Sequence, residues 1–265
     1  MSEKSQRKLD FKNFQINLRE GSSVGKTIAV MSGKGGVGKS FISSMLASEL
    51  SKKGYKVGIL DADITGPSIP SSFGLKENIR ANKEGVMQPQ ESKSGIKIVS
   101  INLILEDKTA PVIWRSSIVT NILKQFWTDV DWKDLDYMLV DMPPGTSDVP
   151  LTIFQSLPID GVIAVTTPQD LVGMVVEKSL NMAKMMGKKI VGIVENMSYF
   201  IAEDTGKKYK IFGEGSLDKV KDKFGIKAKA KMPINPEITR LIDQGKIEDI
   251  DAKELEEIIK AIESL

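Results

Sequence analysis

The residues best suited to chemistry form a glycine-rich segment that closes with a lysine and a serine. Its spacing is Gly-x-x-x-x-Gly-Lys-Ser, from Gly33 to Ser40. Glycines let the backbone curl so that its amide N–H groups point at phosphate oxygens, and a following helix adds its positive end. The segment therefore predicts a site for ATP and Mg²⁺. The candidate nucleotide-binding residues are Gly33, Lys34, Gly35, Gly36, Val37, Gly38, Lys39 and Ser40.

Two residues of this segment have specific predicted roles. Lys39 is expected to reach the β- and γ-phosphates and to act in catalysis, and Ser40 to give its hydroxyl to Mg²⁺. The alternative is a glycine-rich turn without a ligand. An apolar strand before the segment and a helical pattern after it argue against that alternative.

Three aspartates close strand-like runs elsewhere in the chain. Asp61 and Asp63 stand two residues apart, which places them on one side of an extended backbone. Asp61 is expected to hold Mg²⁺ through water, and Asp63 to orient the water that attacks the γ-phosphate. Either could instead cap the next turn. Asp141 ends the apolar run Tyr137–Val140 and is expected in the magnesium shell, and the loop of residues 143–145 is expected to sense the γ-phosphate.

Two further residues are candidates for contact with the nucleobase. Asn196 follows a predicted strand and could bond the edge of the base, although an asparagine there is often only a turn former. Pro233, in a Pro-Ile-Asn-Pro segment, could pack near the same ring.

The elements that must position these residues alternate between strands and helices. Helical spacing of apolar residues occurs at Ser40–Lys53, Ile118–Val130 and Asp170–Met186. The alternation predicts an α/β fold, a single-domain P-loop NTPase with a mostly parallel sheet flanked by helices on both faces. Ligands of such sheets bind beyond the carboxyl ends of the strands, where the aspartates lie. Short β-branched runs predict strands at Lys26–Met31, Lys56–Leu60, Lys97–Ile101, Tyr137–Val140, Gly161–Thr166 and Lys189–Val194.

Domain organisation follows from the same pattern. Residues 1–24 are expected to be an N-terminal extension and residues 25–265 the ATPase domain. Arg80–Gly95 is predicted to be a polar insertion without helix. The tail Asp251–Leu265 is predicted to be an amphipathic helix. Its acidic charge favours docking on the domain over binding a membrane.

Composition excludes several classes of chemistry. The 265 residues include 37 basic and 35 acidic residues but neither cysteine nor histidine, so disulfides, thiolate nucleophiles and imidazole bases are excluded. Neither a signal peptide nor an apolar run long enough to cross a membrane is evident, which predicts a cytoplasmic protein. The lysine-rich segment Lys207–Lys231 lacks interleaved aromatic residues, and nucleic-acid binding is therefore not expected.

The chain resembles the Mrp (ApbC-like) iron-sulfur cluster carrier ATPases, which are related to MinD and ParA. This resemblance implies a homodimer that hydrolyses ATP and assembles clusters or delivers them to apo iron-sulfur proteins. It also implies that Lys34 is the signature lysine of a deviant P-loop, reaching across the dimer to the partner's nucleotide. The matching segments are residues 31–40, 61–63, 66–70, 114–115, 136–148, 166–169, 195–200 and 211–213.

The sequence departs from this family where the cluster would be held. The family has a Cys-x-x-Cys pair after the Asn-Met-Ser-Tyr-Phe segment, but here Ala202 and Thr205 occupy those positions, and neither can replace a thiolate on iron. Ser116-Ser117 replace a usual Gly-Pro. The chain could be a paralogue with another client, a protein whose cysteines were replaced artificially, or an assembly chaperone that holds no cluster. The alternative functions are a MinD/ParA-like ATP-dependent dimerisation switch and an interaction module with vestigial hydrolysis.

Overall fold

The computed structural model describes residues 15–63, 68–79, 81–103, 116–169 and 173–265. Every strand predicted from the sequence is present, with bounds that shift by a few residues at most except at the last one. Within the described residues the strands are β1 (Ser23–Ser32), β2 (Val57–Asp61), β3 (Gln90–Glu91), β4 (Lys97–Ser100), β5 (Asp134–Asp141), β6 (Gly161–Thr166), β7 (Lys189–Ile201), β8 (Lys208–Tyr209) and β9 (Ala228–Ile234).

Helices connect most of these strands. The three predicted helices are found, although residues 170–172 of the third lie outside the described residues. Short 3₁₀ turns occur at Ile101–Leu103, Ile247–Asp249 and Lys253–Leu255. The α-helices of the described residues are α1 (Lys39–Lys52), α2 (Ile69–Ser72), α3 (Ser116–Thr128), α4 (Asp148–Ser156), α5 (Gly173–Met185), α6 (Leu217–Phe224), α7 (Pro236–Asp243) and α8 (Glu256–Glu263).

The strands form one twisted sheet in the order β3-β4-β2-β5-β1-β6-β7-β8, and β9 also pairs with β7. All pairs between β4 and β7 in this order are parallel, and β9 is parallel to β7, whereas β3 and β8 are antiparallel additions at its margins. The central strands therefore end at one edge of the sheet. The α/β fold with a mostly parallel sheet is confirmed.

Helices cover both faces of the sheet, as the sequence predicts. Adjacent residues of β7 show this most directly, since successive side chains of a strand point to opposite faces. Ile193 packs with apolar residues of α5 and α6, whereas Val194 belongs to the larger core that includes α1 and α8. The buried residues Ile258, Ile259 and Ile262 of α8 confirm that the acidic tail docks on the domain.

The remaining organisational predictions fall partly outside the described residues. Residues 1–14 of the expected extension are not described, but Ile16 donates its backbone N–H to the Ser156 carbonyl at 2.9 Å, and β1 begins at Ser23. Residues 81–95 contain turns and β3 but no helix, in agreement with the predicted insertion. Of the helices that the structure describes, none has the length and apolar character needed to cross a membrane.

Candidate nucleotide site

The centre of the site is Lys39, the first residue of α1. Its ammonium nitrogen lies 2.7 Å from Asp141 Oδ2 and 3.2 Å from Asp63 Oδ2, and the residue is only 5% exposed. Burial alone would lower the pKa of Lys39, but the charges of Asp141 and Asp63 outweigh that effect and raise it above its usual value. Lys39 is therefore a buried side chain that keeps its positive charge.

Asp141 accepts hydrogen bonds from several side chains of the first turn of α1. Ser40 Oγ donates to Asp141 Oδ2 at 2.6 Å, and Ser43 Oγ donates to Oδ1 at 2.6 Å. Asp141 lies at the end of β5, beside the end of β1, and is fully buried. Ser43 was not predicted from the sequence, although a serine one turn after Ser40 lies on the same helix face.

The glycines of the phosphate loop are required at two positions for different reasons. Gly38 has a left-handed φ of 83°, and a Cβ there would lie 2.1 Å from Asn196 Nδ2. A Cβ on Gly33 would lie 2.7 Å from Val175 Cγ1 and 2.8 Å from the Val175 carbonyl carbon. The loop can therefore approach both β7 and α5 only because these positions lack side chains.

The loop and Asp63 surround an open cavity of about 330 Å³. Its walls present a lysine at each end of the loop, the hydroxyl of Ser40 and a carboxylate, which suits a polyphosphate with a bound cation. Asp63 is 9% exposed and lines the cavity, whereas Asp141 lies behind Lys39 and Ser40. The lining residues are Ser32, Lys34, Gly35, Gly36, Gly38, Lys39, Ser40, Phe41, Asp63 and Ser68.

Asp61, which was expected to hold Mg²⁺ through water, is not among the residues that line this cavity. It is 1% exposed, its Oδ2 accepts from Ser100 Oγ at 2.8 Å, and its Oδ1 accepts from the Asp63 N–H at 3.1 Å. Burial, together with the charge of Asp141, raises the pKa of Asp61 to about 8. In the structure Asp61 thus bonds to the backbone at Asp63 and to Ser100, away from the open cavity.

This burial predicts a pH dependence of stability. Between about pH 4 and pH 8 the unfolded chain ionises Asp61 while the folded chain keeps it protonated, so the folded state binds more protons and stability falls as pH rises. Asp61→Asn is expected to flatten this fall, because the amide does not titrate. Melting temperatures measured from pH 5 to pH 8 in EDTA, without nucleotide, test the prediction. The exposed substitution Asp204→Asn should keep the wild-type slope, and an unchanged slope in Asp61→Asn would contradict the assignment.

A second cavity, also about 330 Å³, adjoins the first and shares Gly38 and Phe41 with it. Asn196 and Pro233 both line it, so the structure brings together the two residues proposed for the nucleobase. Asn196 Nδ2 donates to the Val37 carbonyl at 3.0 Å, a contact that ties the end of β7 to the phosphate loop. Ile234 and Asn235, from the same predicted Pro-Ile-Asn-Pro segment, also line it. The sequence did not point to the apolar lining residues Met197, Phe212, Ile238 and Ile242.

Ala202 and Thr205, which stand where the family has cysteines, lie in an exposed hairpin between β7 and β8. The Ala202 N–H donates to the Lys207 carbonyl at 3.0 Å, and the Gly206 N–H donates to the Ala202 carbonyl at 2.8 Å, which closes the turn around Thr205. Among the residues that the structure describes, no cluster of three or more acidic, cysteine or histidine side chains could hold a metal ion. Trp114 and Arg115, which carry part of the family resemblance, lie outside the described residues.

Comparison with known proteins identifies the family. A sequence model of the ParA family, described as NUBPL iron-transfer P-loop NTPase, matches residues 23–265. The chain belongs to this family. The resemblance inferred from the motifs is therefore confirmed, and the chain is a nucleotide-binding P-loop NTPase of the ParA family.

Relatives and solved structures agree with this assignment. Proteins named iron-sulfur cluster carrier protein from Clostridium perfringens and Methanocaldococcus jannaschii are 44% and 43% identical over 238 and 248 residues. These alignments cover 87% and 92% of this chain, and 84% and 85% of the two relatives. A nucleotide-binding protein from Archaeoglobus fulgidus, solved with ADP, is 40% identical with a TM-score of 0.79, over 88% of this chain and 91% of that one. The cell division ATPase MinD of Pyrococcus furiosus, at 19% identity and a TM-score of 0.63, shares the fold over 91% of this chain and 99% of its own.

Proposed function

We propose that this ParA-family chain is a Mg²⁺-dependent ATPase that converts ATP and water to ADP and phosphate. The observation that carries the proposal is the buried cation Lys39, held between Asp63 and Asp141 at the floor of the phosphate cavity. Phosphoryl transfer requires positioning and charge stabilisation more than covalent chemistry. Lys39 can neutralise charge on the transferring phosphate, and Asp63 can accept a hydrogen bond from the attacking water.

The residues present also fit a Mg²⁺ ion. Mg²⁺ prefers oxygen ligands and usually keeps several of its waters, so one hydroxyl and the phosphates suffice as direct ligands. Ser40 Oγ faces the cavity and would hold the ion directly, and Asp141, hydrogen-bonded to Ser40 at 2.6 Å, would hold it through that hydroxyl or through water. When bound, the ion would neutralise charge on the β- and γ-phosphates.

The phosphate loop can be tested by filling the space beside Gly38. Gly38→Ala is expected to weaken binding of ATP and ADP by at least about 100-fold, because the methyl group collides with Asn196 in a backbone conformation that alanine also disfavours. Isothermal titration calorimetry with Mg²⁺ measures this. Gly54→Ala is the matched control, since Gly54 has a left-handed φ of 91° but open space around it. Equal nucleotide affinity in both variants would argue against the loop as the binding site.

We also propose that two chains form a homodimer around two nucleotides. Lys34 and Lys39 both line the phosphate cavity, and Lys34 is half-buried whereas Lys39 is buried. Lys39 would neutralise charge on the phosphates of its own subunit, and Lys34 would approach the nucleotide of a symmetric partner. The resemblance to the deviant P-loop supports this proposal.

The cellular role that we propose is the assembly or transfer of iron-sulfur clusters in the cytoplasm, with apo iron-sulfur proteins as clients. Its support is the family and the naming of the relatives as iron-sulfur cluster carriers. Because the chain has no cysteine, the thiolates on any cluster must come from a partner protein. ATP-driven changes in the dimer would then act on that partner.

Anaerobic reconstitution with iron and sulfide tests this division of labour. The wild-type chain is expected to retain no stoichiometric cluster, whereas Ala202→Cys/Thr205→Cys places thiols on the exposed hairpin and is expected to gain one per dimer. Iron and sulfide content and the visible absorption spectrum are the measurements. A stable cluster on the wild-type chain, passed to an apo-acceptor, would contradict the claim that partner thiolates are required.

A further inference from the structure

Glu195, near the middle of β7, is a buried carboxylate that the proposed hydrolysis does not use. It pairs in register with Thr166 of β6 and Lys231 of β9 and is 1% exposed. A buried carboxylate is stable only when its oxygens are bonded and its charge is paired. The contacts of Glu195 therefore indicate what it holds in place.

Those contacts join three segments around the second cavity. Ser198 Oγ donates to Glu195 Oε1 at 2.6 Å, and Lys231 Nζ lies 3.5 Å from the same oxygen. A Cβ on Gly215 would lie 2.2 Å from Oε2, so the loop that carries Phe212 closes directly on the carboxylate. Lys231 lies two residues before Pro233 on β9. Glu195 thus contacts segments that carry the cavity residues Phe212 and Pro233.

The bond to Ser198 also spans a strained turn. Met197 is one of two non-glycine residues with positive φ among those the structure describes, with a φ of 54°. Side chains seldom adopt this conformation, and it persists where surrounding contacts fix it. Asn196 lies between Glu195 and this turn, so the bond from Ser198 to Glu195 fixes the direction in which the Asn196 side chain points.

We propose that Glu195 is a positioning residue for nucleobase recognition, acting through Asn196. The inference rests on the proposed nucleotide site, with the base in the cavity lined by Asn196, Phe41 and Pro233. Glu195 itself lies outside the lining and does not touch the nucleotide.

The orientation of Asn196 defines which base it reads. Its amide nitrogen donates to the Val37 carbonyl, and its amide oxygen is its one acceptor. An acceptor favours a base edge that carries an amino group over an edge that carries a carbonyl oxygen. ATP and ITP differ at that position, with an amino group in ATP and an oxygen in ITP, so the ratio of their affinities reports the orientation of Asn196.

The test compares dissociation constants of ATP and ITP, measured by calorimetry with Mg²⁺, for the wild-type chain and four variants. Glu195→Ala and Ser198→Ala each remove one end of the 2.6 Å bond, and each is expected to reduce the preference for ATP about fivefold to tenfold. Glu195→Gln keeps an oxygen that accepts from Ser198 and should retain the preference. Ser179→Ala, which removes a buried hydroxyl bonded to the Val175 carbonyl within α5, should also retain it.

The outcomes separate the inference from the function on which it rests. A wild-type chain that binds neither nucleotide overturns the proposed function. A wild-type chain that binds both equally, or Glu195→Ala and Ser198→Ala variants that weaken both nucleotides by one factor, leaves nucleotide binding intact and overturns the positioning role. Should Glu195→Ala fail to fold, Ser198→Ala decides alone. Loss of the preference in Ser198→Ala, with retention in Glu195→Gln, supports the role.

Discussion

Replacing Lys39 with methionine is expected to abolish ATP turnover and to lower the free energy of unfolding by about 3 to 5 kcal/mol. Methionine fills the same space, but Asp63 and Asp141 then share a buried site without the cation that lies 3.2 Å and 2.7 Å from them. Turnover is lost because the γ-phosphate has no buried cation beside it. Urea denaturation and phosphate release measure the two effects.

The double variant Lys39→Met/Asp141→Asn separates the structural effect from the catalytic effect. It removes one of the unpaired charges, so stability should recover in part while turnover stays absent. Lys229→Met is a matched control, because Lys229 pairs with Asp218 at the surface and should affect neither quantity measurably. Turnover by Lys39→Met above about a tenth of the wild-type rate would contradict the role of Lys39, since loss of one such charge costs at least about 100-fold.

Lys34→Ala is expected to retain ATP binding and to lose hydrolysis by about 100-fold to 1,000-fold. Lys34 is one of several residues that line the phosphate cavity, and Lys39 and the loop backbone remain to bind ATP in this variant. The loss is expected only in the turnover step, because the lysine neutralises charge that develops as the phosphate transfers. Calorimetry and steady-state phosphate release separate these two quantities. Equal turnover in Lys34→Ala and the wild type would contradict the assignment of Lys34 as the signature lysine of a deviant P-loop.

The central sheet could be predicted from the sequence because its strands are buried on both faces and read as continuous apolar runs. Gly161–Thr166 has the same bounds in the structure, whereas the predicted strand Lys189–Val194 extends to Ile201 as β7. The extension depends on the hairpin pairing with β8 and on pairing with β9, which is more distant in sequence. β9 itself alternates alanine with lysine and was hidden in a lysine-rich segment. α7 was missed because it is short and has no fully buried residue.

At the site, the residues of the phosphate loop were predictable because their spacing is set by the phosphates themselves. The burial of Asp61 could not be predicted, because periodicity gives the face of a residue but not its depth, and Ser100, which bonds to it, lies on another strand. The contact of Asn196 with Val37 was equally invisible, since the two residues are 159 positions apart. Only the assembled fold brings such partners together.

The central claim is that two P-loops pair in a dimer and hydrolyse ATP with a lysine supplied by the partner subunit. Phosphate release from a mixture of two inactive variants tests it most directly. Lys34→Ala and Asp63→Asn are each expected to be inactive as homodimers. After subunit exchange, the Lys34→Ala subunit keeps its own Asp63 and receives Lys34 from its partner, which completes one site in each mixed dimer.

After exchange in an equal mixture, about half of the dimers are mixed, and each mixed dimer has one complete site out of two. The mixture should therefore release phosphate at about a quarter of the wild-type rate, and only with Mg²⁺. A mixture no faster than the two variants alone, with an active wild type, would contradict the action of Lys34 across the dimer. A wild-type chain that releases no phosphate from Mg-ATP would contradict the ATPase itself.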